Sequence, residues 1–170
     1  MPNGLKETSS LIGIGFSLAE TAPNTFIQQQ VDLQLNPLDN EVFIVYAIDL
    51  DPIAPDNVAG TSTAVSSSIT TTSRTGVANL GDSACMANQV LNIRQDGGSV
   101  TGVPFSRGSN ESPATQLDYL AIISTNDFFV QLQGTSNVGT KSVSGRVYGV
   151  RARADASVYA ALVQSEVLTA

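Results

Sequence analysis

Two short stretches constrain this chain more than any other feature. In "LIGIGFSLA" (Leu11–Ala19), Ile12, Ile14, Phe16 and Leu18 alternate with Gly13, Gly15, Ser17 and Ala19. In "FIQQQVDLQL" (Phe26–Leu35), Ile27, Val31, Leu33 and Leu35 alternate with Gln28, Gln30, Asp32 and Gln34. Period-two alternation puts successive side chains on opposite faces of an extended backbone, so each stretch predicts a strand with one buried and one solvated face. "EVFIVYAIDLD" (Glu41–Asp51) is apolar on both faces, with Val42, Ile44, Tyr46, Ile48 and Leu50 along one and Phe43, Val45 and Ala47 along the other. It reads as a central strand covered on both sides.

The same pattern runs on. "TSTAVSSSITTTSR" is rich in β-branched Thr, with Val65 and Ile69 on one weakly apolar face, and predicts an edge or interface strand. In "NLGDSACMANQVLNIRQDGG", Asp82 or Ser83 predicts a helix cap and a turn or two of helix. "QVLNIRQ" is then extended and ends at an Asp96-Gly97-Gly98 turn. Residues 99–113 read as a long surface loop of Gly, Ser, Pro and Asn. "LDYLAIIS" and "DFFVQLQ" predict a hairpin across a tight "TN". Phe128 and Phe129 then point to opposite faces, one into the core. In the last strand, "SVSGRVYGVRAR", the alternation breaks near Gly145 and Gly149, which predicts a bulge or a close backbone contact.

About eight strands without strand–helix alternation predict an all-β fold: an antiparallel two-sheet sandwich, most economically a jelly roll. The length of 170 residues suits a single domain, 1–170, able to bury a core without staples. Residues 1–10 read as an N-terminal arm and 155–168 as a C-terminal helix. Asp155 stands where an N-cap belongs, before the Ala-rich "ASVYAALVQSEV". Val158, Ala161, Leu162 and Ser165 share one side of this helix, with Tyr159, Val163 and Val167 beside it. So short a helix is marginal in water unless it docks. It either covers an open end of its own sandwich or packs on a neighbouring copy, and Val158, Tyr159, Leu162, Val163 and Val167 are the interface candidates.

Little in the sequence points to catalysis. With no His in the chain, Ser-His-Asp and Cys-His pairs and His-ligated metals are excluded. Gly81-Asp82-Ser83 imitates the start of a serine-esterase motif but lacks the His that chemistry requires. Cys85, the only cysteine, cannot form an internal disulfide and reads as a small buried apolar residue. Asp49, Asp51 and Asp56 are the densest acid cluster and the one candidate for calcium, although Asp beside Pro52 and Pro55 is equally turn chemistry. Asp49, Asp51 and Asp118 are the acids an enzyme reading would rest on. No phosphate-binding or dinucleotide fingerprint occurs, and no cofactor is expected. Asn110-Glu111-Ser112 reads as an incidental sequon.

The net charge is −7, from 15 acids against 8 bases, and argues against unaided nucleic-acid binding. Lys141, Arg146, Arg151 and Arg153 hold half of the bases and read as solvated strand positions or partners of the excess carboxylates. Charged residues make up only 14 % of the chain, leaving an uncharged Ser/Thr/Asn/Gln/Gly surface suited to packing against other protein. The start of the chain has no basic segment followed by an apolar one, and no stretch is apolar enough to span a membrane.

Strand number, long loops and uncharged surface together resemble the viral capsid proteins of the single jelly-roll type. More narrowly, "FFVQLQGTSNVGTKSVSGRVYGVRARADASVYAALVQSEVL" is similar to the C-terminal part of small structural proteins of marine and environmental viruses, where a last strand runs into an alanine-rich helix. The resemblance implies a shell or decoration subunit of a virion, and the absent export signal points to synthesis in the host cytoplasm. Its partners would be further copies of itself and other virion proteins, with contact to an internal membrane or inner capsid layer. Residues 1–10 carry only Lys6 and Glu7 as charges, unlike the basic arm of many small-virus capsid proteins, so no direct contact with nucleic acid is expected. A β-sandwich binding module for glycans or a surface receptor is the alternative.

Overall fold

The computed structural model describes residues 2–95, 102–108 and 117–170. Its strands are β1 (Leu5–Glu7), β2 (Ile12–Ala19), β3 (Ile27–Asp32), β4 (Glu41–Pro52), β5 (Thr63–Thr70), β6 (Cys85–Arg94), β7 (Val103–Gly108), β8 (Ala121–Ile123), β9 (Asp127–Thr135) and β10 (Ser142–Ala154). Helix α1 (Ala156–Leu168) follows, and a single 3-10 turn at Pro37–Asp39 leads into β4. Two antiparallel sheets result. In the first, β10 lies beside β4, β8 flanks β4, and β1 and β2 pair with successive stretches of the other side of β10. The second has the order β3-β9-β5-β6-β7.

With β1 and β7 set aside, successive strands go to opposite sheets except for β5 and β6, which are neighbours in one. The first, eighth, third and sixth make one sheet, and the second, seventh, fourth and fifth the other. This interleaved order is that of a jelly roll, as the alternation predicts. Between the sheets, Phe16, Leu18, Phe43, Val45, Ile48 and Leu50 meet Val65, Ile69, Phe128, Val130 and Leu132. Phe16 and Phe128 pack edge to face, with centroids 6.2 Å apart.

A bulge in β4 governs what the sheets bury. Tyr148 pairs with Ala47 but Gly149 with Val45, so Tyr46 is an extra residue on β4. The continuous apolar run is thereby split. Phe43, Val45, Ile48 and Leu50 face the second sheet, whereas Val42 and Ile44 turn outward with Val150, Ala152 and Ala154. The predicted single face through Val42, Ile44, Tyr46, Ile48 and Leu50 is therefore corrected. The disturbance near Gly145 and Gly149 is present. A side chain at Gly145 would strike the Asp49 carbonyl and the Phe16 ring, and one at Gly149 the Ile44 carbonyl and the Phe43 ring.

Other expectations also change. β5 is central, between β9 and β6, rather than an edge, because its Ser and Thr side chains are covered and hydrogen-bonded. β7 lies within the stretch 99–113 read as loop; residues 99–101 and 109–113 of it, Asn110 among them, and the separately predicted Asp96-Gly97-Gly98 turn lie outside the described residues. The "TN" corner joins strands of different sheets and is not a hairpin turn. Residues 80–84 form turns rather than helix, since Asp82 accepts the Ala84 N–H at 2.9 Å and an Arg side chain. Leu5–Glu7 of the predicted arm is laid into the first sheet against β10.

Candidate functional site

The candidate surface begins with α1, which carries all five interface candidates. β10 delivers the chain directly to it across Asp155. That residue has the extended backbone of an N-cap (φ −63°, ψ 151°) but makes no side-chain cap bond; its N–H donates to the Gly4 carbonyl at 3.0 Å. The helix lies on the outer face of the first sheet. Val158, Tyr159 and Leu162 pack on Val42, Ile44, Val150, Ala152 and Ala154, with Leu5, Tyr46 and Ile122 at the margin. The even-parity residues of β4 before the bulge are apolar because this helix covers them.

Glu166 fastens the far end. Its buried carboxylate accepts the Ser124 N–H (3.1 Å), the Ser124 hydroxyl (2.7 Å) and the Thr125 N–H (2.7 Å). The two N–H groups are those freed where the chain leaves β8 and crosses to the other sheet. Beyond the helix, Arg74 Nη2 donates to the Thr169 carbonyl at 2.6 Å while its guanidinium grips Asp82 in two bonds of 2.6 and 2.9 Å. This pairing pushes the Arg74 pKa up and the Asp82 pKa down. Sequence reading singled out neither Glu166 nor Arg74. A lone acid on the apolar side of a helix was the available signal.

The interface candidates divide accordingly. Val158, Tyr159 and Leu162 contact the chain's own sheet. Val163, half-buried, and Tyr159 line a depression of about 310 Å³ with Leu35, Pro37 and the 124–126 corner. Val167 is 62 % exposed and Leu168 77 %, so the helix ends in an open apolar tip.

The acids of the calcium candidate do not converge. Asp49 and Asp51 are exposed on β4, whereas Asp56 accepts the N–H groups of Val138 and Gly139 at 2.9 Å and the Lys141 ammonium at 2.6 Å. Its pKa is lowered to about 2, first by the Gly139 N–H and then by Lys141. Among the described residues no group of three metal-ligating acids or thiols exists. Glu20 plays a similar part, accepting the N–H of Gly134 (2.6 Å) and of Lys141 (2.8 Å). Several of the acids thus hold loops. Cys85 is half-buried, and desolvation pushes its thiol up to about 11, so it is an unreactive thiol at neutral pH. In the basic cluster, Lys141, Arg151 and Arg153 pair with Asp56, Glu41 and Asp39.

Neither a known protein-family model nor a curated protein sequence matches the chain. No helix among the described residues is long and apolar enough to cross a membrane.

Proposed function

We propose that this chain is a virion structural protein, a capsid shell or decoration subunit that self-assembles into multi-copy shells and performs no catalysis. The observation that carries this reading is the interleaved strand order, with an interior filled by side chains and a helix folded outside it. Such a body is a rigid block whose useful surfaces are its edges, loops and helix tip. The uncharged composition supports it, since desolvating Ser, Thr and Gly surface costs less than desolvating charge. The loop-tying roles of Glu20, Asp56, Asp82 and Glu166 support it too, because a carboxylate saturated by backbone N–H groups is a poor general base. Its partners are further copies of the chain and other virion components.

The test is the mass of the purified protein by light scattering over a concentration and salt series, with negative-stain images of each fraction. Rings, shells or defined large oligomers are expected. A protein that stays monomeric throughout and binds on a glycan array would replace this reading with that of a binding module.

A further inference from the structure

The sheet edges of this molecule are not alike. β1 and β8 are three residues long, and β1 carries Lys6 and Glu7. β3 ends in Asp32, and β7 carries Pro104 and Arg107. Shortness, charge and proline are the usual devices that keep an edge from pairing with another chain. β2 has none of them. Its eight residues, "IGIGFSLA", contain no charge and no proline and run in unbroken register along β10, their only strand partner among the described residues.

The hydrogen-bond phase tells which groups are free. Glu20 N–H donates to the Lys141 carbonyl at 2.8 Å, in the register that continues through β2. Alternate residues of an antiparallel pair exchange bonds, so Leu18, Phe16, Ile14 and Ile12 are turned to β10. Ala19, Ser17, Gly15 and Gly13 turn their N–H and C=O groups to the open side. All four are exposed, and their small side chains do not overhang the row. Gly13 has a further reason to be glycine: an added Cβ would lie 3.1 Å from Arg146 Cδ and 3.4 Å from the Tyr148 ring, which fold over it on the outer face.

We propose that β2 is an assembly edge, which pairs antiparallel with β2 of a second copy about a two-fold axis at Phe16. The occupant follows from the row itself, since alternating unpaired N–H and C=O groups are matched by another extended strand. With the axis at Phe16, Gly13 faces Ala19 of the second copy and Gly15 faces Ser17. Outward residues meet outward residues, and one patch serves both subunits, as a two-fold interface requires. Two chains of net charge −7 repel, but β2 brings no charge to the seam. The inference rests on the self-assembly reading and names the surface through which it begins.

The experiment compares the full chain with Ser17→Lys and Ser17→Pro by light scattering over concentration and salt, with circular dichroism as the fold control. Lys places a charge on the edge, and Pro removes an outward donor without breaking a bond to β10. The wild type is expected to form dimers or their multiples, more so as salt screens the repulsion between chains. Both variants are expected to stay folded and to need about tenfold more protein to associate. If the wild type assembles and folded Ser17→Lys assembles equally well, the β2 seam is overturned while self-assembly stands. If the wild type is monomeric throughout, both fall. Should Ser17→Pro unfold, the Ser17→Lys comparison decides.

Discussion

The two sheets cover their outer faces by opposite means. On the first, α1 presses Val158, Tyr159 and Leu162 onto Val42, Ile44 and Ala152, an apolar seam closed by one carboxylate at its end. On the second, residues 71–84 fold back over a polar seam. There Ser68 Oγ donates to Gln131 Oε1 (2.7 Å) and accepts the Ala78 N–H (3.0 Å). Gln131 Nε2 donates to Thr70 Oγ1 (2.7 Å) and Gln28 Oε1 (2.9 Å), and the latter also accepts the Arg74 N–H at 2.8 Å. Arg74 touches both covers, through Gln28 on one side and Thr169 on the other. An apolar cover tolerates small slips, because the hydrophobic effect has no direction. A buried polar cover loses stability at each donor left without an acceptor.

The sharpest break of the apolar cover is at its one polar fastening. Glu166→Ala leaves the Ser124 and Thr125 N–H groups and the Ser124 hydroxyl without their acceptor in a buried corner. Hydrogen bonds to a charged group are each worth about 1.5–3 kcal/mol, and they share one carboxylate, so a loss of about 3 kcal/mol is expected in urea unfolding. Glu166→Gln keeps one acceptor oxygen and should recover roughly half of that. A loss below about 0.5 kcal/mol for the Ala variant would mean that the apolar seam alone holds the helix.

The polar cover should respond less to one change and more to its neighbours. Gln131 is fully buried, and Gln131→Ala strands Ser68, Thr70 and Gln28 together. About 2 kcal/mol is expected, against about 1 kcal/mol for Ser68→Ala. The double variant should cost less than the sum, because both remove the same bond. Strict additivity in denaturant unfolding would show that the two side chains do not act as a network.

The same contrast decides how much of the fold is legible in the sequence. The alternation of Ile12, Ile14, Phe16 and Leu18 and the two-faced run of β4 are hydrophobic signals, and the sandwich follows from them. The helix was legible for the same reason. β5 read as an edge because Ser66, Ser67, Ser68 and Thr70 have the composition of a wet strand, and nothing local distinguishes a hydroxyl bonded to water from one bonded to a buried Gln131. The bulge at Tyr46 was signalled by Gly149 on the partner strand, but parity along β4 alone could not locate it. Glu166 stands out only as a lone acid on the apolar side of the helix, and its role is not legible because its partners lie 42 and 41 residues away in sequence.

A third corner sharpens the comparison, at the opposite end of β9 from Glu166. There Asp56 ties the segment after β4 to the 138–141 turn through two backbone N–H groups and Lys141. Its folded pKa of about 2 lies below the unfolded value of about 3.9, so the folded state favours the ionised form. The stabilisation is complete above about pH 4 and is lost as pH falls through about 2, where folded and unfolded chains are both protonated. Asp56→Asn should therefore be less stable than the wild type near neutrality, and the gap should close between about pH 4 and pH 2. Unfolding midpoints of the two proteins across that window measure it. A gap that stays constant with pH would assign the role of Asp56 to shape and hydrogen bonding, with no contribution from its charge. The tie would then work as the polar cover does, through matched donors and acceptors alone.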